Sequence, residues 1–324
     1  MSIPTSVKSS LHHLSCYPFL PECVLDKLLA RLLRGSVSLR LLHICAFGNQ
    51  LIMDSHAALQ GNGLAPCAEL HMVRLDFMPS ALARAVLLLA PRVRSVTLLP
   101  NRYNSLPTTD PDEPAATMPL VLPYLRQLAI LHGSEHSSLC ATIVSSNLAH
   151  ALCRLRVELP EHRVLAALEA HPGNRVTHLG LEDVCGACRT RRDICGCVSD
   201  VARWIRACPH VQHLALHSML DPQNIPKILD AMGSRSLVSF AFVRDDQLCL
   251  EETRSVLSDL LRHPGPTHPA LKRLRYLALQ EYDDGLRELC RQRRIIPTME
   301  VYPMTLWTKV LTRWSARRVD EELM

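Results

Sequence analysis

The stretch Leu274-Arg275-Tyr276-Leu277-Ala278-Leu279-Gln280, whose apolar residues have the spacing L-x-x-L-x-L, decides the fold of this 324-residue chain. Its second half alternates like a short strand, so Leu277 and Leu279 share one face while Ala278 lies on the other. Residues 283–293 follow, with apolar side chains at helical spacing. One strand and one helix cannot bury their apolar sides alone, so the unit requires neighbours of the same kind.

The same six-residue pattern, which we call the hexad, recurs along the whole chain. Its first apolar residues are Leu11, Leu39, Leu70, Val93, Leu125, Leu152, Val176, Val211, Leu237 and Leu274. Their mean separation of about 29 residues falls within the range of leucine-rich repeats. The pattern therefore predicts an α/β fold: an irregular leucine-rich-repeat-like solenoid, with parallel strands on the concave face and helices on the convex face.

Apolar spacing also predicts the helices that separate the hexads. They are expected over residues 20–35, 80–90, 136–151, 161–171, 198–208, 224–233, 250–263 and 283–293. Four of them are followed by a proline at the position where a helix stops, namely Pro91, Pro172, Pro209 and Pro264. Repeats made of helix pairs would give a similar period, and in that case the hexads would lie inside helices.

The repeat array is predicted to form one domain over residues 1–302. Residues 101–123 are rich in proline, threonine and acidic residues, and are expected to be a flexible insertion. Residues 303–324 are expected to form a C-terminal capping helix or tail. Trp307, Val310, Leu311 and Trp314 share one helical face there, which also suits a membrane-surface or partner helix, but an exposed last repeat needs a cap.

Composition narrows the class of protein. The net charge of +5 is mild and does not by itself indicate nucleic-acid binding. The start of the chain does not resemble a signal peptide, and no uncharged apolar run approaches the roughly 20 residues of a membrane span. The 13 cysteines are scattered, several of them at apolar positions. Reduced thiols in a cytoplasmic or nuclear protein, with no membrane partner, are expected.

Residues 271–295, LKRLRYLALQEYDDGLRELCRQRRI, resemble the last repeat of leucine-rich-repeat F-box-like proteins of fungi, especially basidiomycetes. The less regular repeats before them resemble the repeats of the same family in spacing and composition, so the resemblance extends over most of the chain. The resemblance implies the target-recognition half of a Skp/cullin ubiquitin-ligase receptor. In that family an F-box precedes the repeats and holds the Skp-type adaptor. Here the first hexad begins at Leu11, so a Skp-type adaptor is expected only if an F-box lies upstream.

One cysteine-rich segment offers an alternative function. Cys185, Cys188, Cys195 and Cys197 form a C-x2-C-x6-C-x-C run, and four thiolates on one short loop can surround a tetrahedral zinc ion. The second pair is C-x-C, unlike the C-x2-C pairs of common zinc ribbons, so an ordinary loop is the other interpretation. A zinc-stabilised or nucleic-acid-binding module centred on this segment is the alternative. Nucleic acid is not favoured, because few aromatic residues accompany the arginine clusters.

Catalytic motifs are not recognisable in this sequence. It has no phosphate-binding glycine loop, no nucleophile elbow and no distinctive pair of carboxylates, so a non-catalytic protein-interaction module is expected, without a cofactor. His213 and His217 share a strand face but stand about 13 Å apart, too far to bind one ion. They are expected to be a solvated surface pair.

Strand alternation predicts where a partner binds. In each hexad the third and fifth positions, and the residue after the sixth, point away from the buried leucines. The predicted binding residues are Arg74, Asp76, Arg154, Arg156, Glu158, His178, Glu182, His213, His217, Tyr276 and Gln280. Small residues at central positions, which allow close approach of a partner, are Thr97, Ala129, Gly180, Ala215, Ala241 and Ala278. A merely solvated face is the other interpretation.

Overall fold

A computed structural model describes residues 13–16, 39–45, 67–76, 80–99, 119–131, 137–147, 151–159, 162–183, 197–217, 220–243, 250–262 and 268–299. Two compact units make up the chain. The first comprises Met1–Val176 and Ala207–His210, and the second comprises Thr177–Arg206 and Val211–Met324. Each unit is α/β. The predicted helix at residues 20–35 and the predicted cap at residues 303–324 lie outside the described residues.

The strands of each unit follow chain order. Those of the first unit are β1 (His13–Cys16), β2 (Leu41–Cys45), β3 (Met72–Asp76), β4 (Ser95–Leu99), β5 (Gln127–Ile130) and β6 (Arg154–Leu159). Those of the second unit are β7 (His178–Asp183), β8 (His213–His217), β9 (Ser239–Val243), β10 (Tyr276–Leu279) and β11 (Ile296–Met299). Within each unit neighbouring strands in this order pair in parallel.

All ten predicted hexads contain a strand, and each strand starts two residues after the first apolar residue of its hexad. In β3, for example, Val73 and Leu75 are buried, whereas Met72 is exposed and Arg74 is partly exposed. The fourth and sixth hexad positions therefore face the core, as strand alternation requires. This observation excludes the alternative of helix pairs, in which the hexads would have been helical.

A repeated backbone contact joins successive hexads just before the strands begin. The carbonyl of the second hexad residue accepts hydrogen bonds from two consecutive N–H groups of the next hexad. The Arg40 carbonyl accepts from His71 and Met72, both at 3.0 Å, and the His71 carbonyl accepts from Arg94 at 2.8 Å. The same contact recurs in the second unit, where the Gln212 carbonyl accepts from Val238 at 2.7 Å. Each carbonyl uses both lone pairs, so the strand starts are held in fixed alignment.

Helices occupy the connections between strands. In the described part of the chain they are α1 (Ser80–Leu88), α2 (Ser137–Asn147), α3 (His162–Glu169), α4 (Cys197–Ala207), α5 (Ile225–Asp230), α6 (Leu250–Arg262) and α7 (Asp284–Gln292). Seven of the eight predicted helices are thereby confirmed. No described helix combines the length and apolar character required to cross a bilayer.

The end of the predicted flexible insertion is packed against α2, which corrects the expectation for residues 119–123. Leu120 and Leu122 are buried. Asn147, the last residue of α2, is fully buried and fixes their backbone: its Oδ1 accepts from the Leu122 N–H at 2.8 Å, and its Nδ2 donates to the Leu120 carbonyl at 3.1 Å. A buried amide that satisfies both backbone groups compensates for the missing strand or helix there.

The C-terminal end of the described chain adds a strand that the hexad pattern does not predict. Asp283 caps α7 by accepting the Leu286 N–H at 2.6 Å, and Arg294, with a φ of 56°, reverses the chain after the helix. β11 follows at once and pairs with β10, so that Pro297 lies opposite Leu277.

Candidate functional site

The outward side chains of neighbouring strands form rows, which we call the strand face of each unit. In the first unit Arg74, Thr97, Ala129 and Arg156 are in register across β3 to β6. In the second unit Gly180, Ala215, Ala241 and Ala278 are in register across β7 to β10. The predicted small positions therefore align, and the first row carries arginine where the second carries only glycine and alanine.

Asp76 is the centre of a polar cluster on the first strand face. It is only 4% exposed and accepts from His43 Nε2 at 2.8 Å and from Arg74 Nε at 2.9 Å. A buried carboxylate requires such partners, because losing hydration is costly for a charge. The expectation that Asp76 is an accessible binding group is therefore corrected: it fixes the Arg74 side chain, which remains partly exposed.

Glu158 and Glu182 are also less accessible than expected. They occupy the same position after the hexad as Asp76 and are only 7% and 8% exposed. Arg154 and Arg156, on β6, are partly exposed. Among the predicted binding residues, the basic side chains are thus open to solvent to a greater extent than the carboxylates.

Two histidines stack on the second strand face. His178 and His213 have ring centroids 4.0 Å apart and an interplanar angle of 10°. Thr177 Oγ1 lies 2.9 Å from His178 Nδ1, and Ser239 Oγ lies 2.8 Å from His213 Nδ1. His213 is therefore a partly buried, hydrogen-bonded residue, which corrects the expectation of a solvated pair. The side chain of His217 lies outside the described residues.

The stacked histidines border the row of small residues. His178, His213, Ser239 and Tyr276 are in register across β7 to β10, and Ile296 of β11 continues the row. Tyr276 is 37% exposed and Ile296 is 52% exposed. On the far side of the small residues lie the buried Glu182 and, at the end of β10, the partly exposed Gln280. The row of small residues from Gly180 to Ala278 therefore lies between the exposed Tyr276 and Ile296 on one side and the polar Glu182 and Gln280 on the other.

Ile296 and Thr298 of β11 belong to this face but were not predicted. A hexad that gave β11 the same start as the other strands would cover residues 294–299. Arg294 would then stand at its first position and Pro297 at its fourth, where the pattern L-x-x-L-x-L requires apolar residues such as leucine. The chain is nevertheless fixed by Tyr282, whose hydroxyl donates to the Leu277 carbonyl and, at 3.4 Å, to the Thr298 carbonyl. Tyr282 occupies the position at which regular leucine-rich repeats carry asparagine.

The predicted zinc segment lies largely outside the described residues. Cys185, Cys188 and Cys195 are not described, and Cys197 is described only as the first residue of α4. Among the residues that are described, no three histidine, cysteine or acidic side chains converge as a metal site requires.

Four of the described cysteines lie in the core. Cys67, Cys140, Cys208 and Cys290 are buried, whereas Cys153 is partly exposed. Burial raises the pKa of the Cys67 and Cys290 thiols. Both are therefore protonated near neutral pH and poor nucleophiles, which suits a packing role.

Comparisons with known proteins add no family to this description. No protein-family model and no curated protein matches the sequence.

Proposed function

We propose that this protein is a non-catalytic protein-interaction module, built as a leucine-rich-repeat-like solenoid, that binds its partner on the strand face of the second unit. The observation that carries the proposal is the in-register row of Gly180, Ala215, Ala241 and Ala278, bordered by the exposed Tyr276 and Ile296. Partner binding through this face explains why an apolar pair stands exposed beside a strip of small residues.

The physical argument rests on shape and on anchoring. Glycine and alanine let a partner segment approach the strands closely, so that backbone and side chain can pack without voids. Tyrosine supplies a large, rigid contact area and a hydroxyl, and such residues dominate the free energy of many interfaces. Ser239 and His213 provide polar atoms beside it, which favours a particular orientation of the bound segment.

The resemblance of residues 271–295 to F-box-like proteins supports a more specific role. On that basis the module is the target-recognition half of a Skp/cullin ubiquitin-ligase receptor, and the bound partner is a protein marked for ubiquitination. The ligase role requires a Skp-type adaptor site in addition to the strand face, so binding of the partner and binding of the adaptor are separate tests.

The first test uses variants of the strand face. Partners captured by the purified full chain from a lysate would be identified by mass spectrometry, and each would be prepared pure for titration. Tyr276→Ala and Ala278→Arg remove the anchor and fill the strip, and we expect each to weaken partner binding by about tenfold or more. The matched control is Lys272→Ala with Arg273→Ala, two exposed residues in the turn before the same hexad.

Circular dichroism would show that all variants keep the thermal transition of the wild type. Partner affinity that is equal for wild type, Tyr276→Ala and Ala278→Arg would show that the second strand face is not the binding surface. Loss of affinity in the control variant would show that binding depends on surface charge near β10 instead.

A further inference from the structure

A row of basic residues runs along the first unit just before its strands. The second hexad positions before β2, β3, β4 and β5 are held by Arg40, His71, Arg94 and Arg126, which we call the basic ladder, and Cys153 ends the row before β6. Backbone bonds stack these residues: the Arg94 N–H donates to the His71 carbonyl at 2.8 Å, and the Arg126 N–H donates to the Arg94 carbonyl at 2.9 Å. Successive members are therefore separated by about one strand spacing, roughly 4.8 Å.

The ladder is open to solvent. Arg40, Arg94 and Arg126 are exposed and His71 is partly exposed. Glu69 lies beside it, with its oxygens 4.0 Å from His71 Nε2 and 3.9 Å from Arg92 Nη1. Contacts at that distance between exposed groups are weak, so Glu69 neutralises little of the charge of His71 and Arg92.

The ladder belongs to the first unit alone. In the second unit the second hexad positions are Thr177, Gln212, Val238 and Arg275. Over the full sequence the two units have similar net charge, with 15 basic and 12 acidic residues in the first and 21 basic and 19 acidic residues in the second, so the ladder is a local feature. A basic ladder is thus not a requirement of the hexad fold.

Stacked arginines repel one another, and the repulsion is relieved when an anion neutralises them. Arginine also binds carboxylates through two parallel hydrogen bonds, which lysine cannot do. In an extended peptide, side chains on one side recur every two residues, at about 6.6 to 6.8 Å. The long side chains of the ladder can follow that spacing across several strands.

We propose that the basic ladder binds an extended acidic segment of a partner protein. The inference rests on the proposed protein-interaction function and adds the chemistry of the partner. A nucleic acid fits less well, because single strands are bound by stacking their bases on aromatic side chains. Tyr124 is the one phenylalanine, tyrosine or tryptophan among the described residues of the first unit.

The test is a titration of the purified full chain against a fluorescein-labelled peptide of eight glutamates, followed by fluorescence anisotropy. The ladder variant is Arg40→Gln with Arg94→Gln and Arg126→Gln. We expect it to weaken binding by about tenfold or more, and we expect wild-type affinity to fall as salt is raised. The control variant, Lys272→Gln with Arg273→Gln and Arg287→Gln, removes the same charge from exposed sites of the second unit. It should change the affinity less than about twofold.

Thermal melting serves as the fold control, because removing like charges should leave the midpoint unchanged or raise it. Equal peptide binding by the ladder and control variants would overturn the proposal, since binding would then follow net charge alone. The wild type would also be titrated with an oligothymidine of matched charge. If it binds the oligothymidine more tightly than the glutamate peptide, and the ladder variant loses that binding, the ligand of the ladder is a nucleic acid and not an acidic segment.

The same titration separates this inference from the proposed function. Tyr276→Ala should bind the glutamate peptide as well as wild type does, because Tyr276 is not part of the ladder. If the wild-type chain does not bind the peptide, the ladder proposal fails while partner binding at the second strand face can still be measured. If only the ladder variant loses peptide binding, and Tyr276→Ala does not change partner binding, then the ladder proposal is correct and the strand-face proposal is wrong.

Discussion

Asn147 illustrates how single polar side chains hold segments that lie outside the strands and helices. Its amide joins the end of α2 to residues 120–122, which come directly before the fifth hexad. Asn174 acts in the same way: its Nδ2 donates to the carbonyls of His171 at 3.0 Å and Ala207 at 2.8 Å. Both amides are buried. Such groups carry more stability than their small size suggests, because their removal leaves backbone groups without partners.

The consequence for Asn147 can be measured by urea denaturation. Asn147→Ala leaves the Leu122 N–H and the Leu120 carbonyl buried without a side-chain partner, and should lower the free energy of unfolding by about 2 to 3 kcal/mol. Ser145→Ala is the control, because Ser145 Oγ bonds carbonyls of its own helix, those of Ala141 and Thr142, and its loss should cost less than about 0.5 kcal/mol.

Asn147→Asp tests the donor directly. An ionised aspartate cannot donate to the Leu120 carbonyl, and burial raises its pKa above the reference value of about 3.9. Because the folded-state pKa is raised, the penalty is largest at neutral pH and diminishes as the pH falls. The stability of Asn147→Asp should therefore approach that of the wild type as the pH falls from 7 toward the reference pKa of about 3.9, whereas the deficit of Asn147→Ala should not change. A parallel pH profile for both variants would contradict this role.

At the scale of the element, the backbone conformation at a glycine determines whether another residue can replace it. Gly233 has a φ of 60° and lies just after α5, where nothing would contact an added Cβ within 4 Å. Gly285 lies in the first turn of α7 without a positive φ. An added Cβ there would meet Asp283 Oδ1 at 3.4 Å and Arg262 Nη2 at 3.6 Å, which is ordinary contact. The two positions differ in conformation rather than in available space.

The same substitution should therefore have opposite effects at the two sites. Gly233→Ala places an L-residue in the left-handed region and should cost about 1 kcal/mol. Gly285→Ala restricts the unfolded chain without strain in the helix and should stabilise by about 0.4 to 1 kcal/mol. Thermal melting of the two variants beside the wild type is sufficient to compare them. A shift of the same sign in both would show that backbone conformation is not the cause.

The strands and helices could be predicted where neighbouring residues in the sequence determine them. The period of the hexad shows where strands start, and helical spacing shows what lies between them. β11 was missed because Arg294 and Pro297 replace apolar hexad residues. The burial of Asp76 was missed because it depends on His43, which is 33 residues earlier. The stack of His178 on His213 likewise depends on strand register, which a single hexad does not contain.

For the whole molecule, the net charge is shared almost evenly between the two units, and it is the position of the basic residues that differs. Over the full sequence the first unit has 15 basic and 12 acidic residues and the second has 21 basic and 19 acidic residues, which together give the net charge of +5. Basic side chains occupy the second hexad positions before β2 to β5, whereas Thr177, Gln212 and Val238 occupy the same position before β7, β8 and β9. Charge in this protein is therefore informative when it is counted by hexad position, because a local basic surface attracts a particular class of partner.

Pro297 has a consequence for association between copies of the chain. Successive N–H groups of a strand point to opposite sides, and the Ile296 N–H donates toward β10, to the Arg275 carbonyl at 2.8 Å. The N–H of residue 297 would point away from β10, and proline has none. In the strand order of the described residues β11 is the last. A β-strand from another molecule would therefore meet a missing donor there.

Pro297→Val should restore that donor and accelerate self-association, measured as light scattering during incubation at elevated temperature. Thr298→Val is the control, because it adds a β-branched apolar residue whose N–H, by the same alternation, points toward β10. Equal scattering by Pro297→Val and the wild type would show that the edge is protected by other means. With proline in place, a strand of another molecule would find one backbone donor fewer along the outer side of β11.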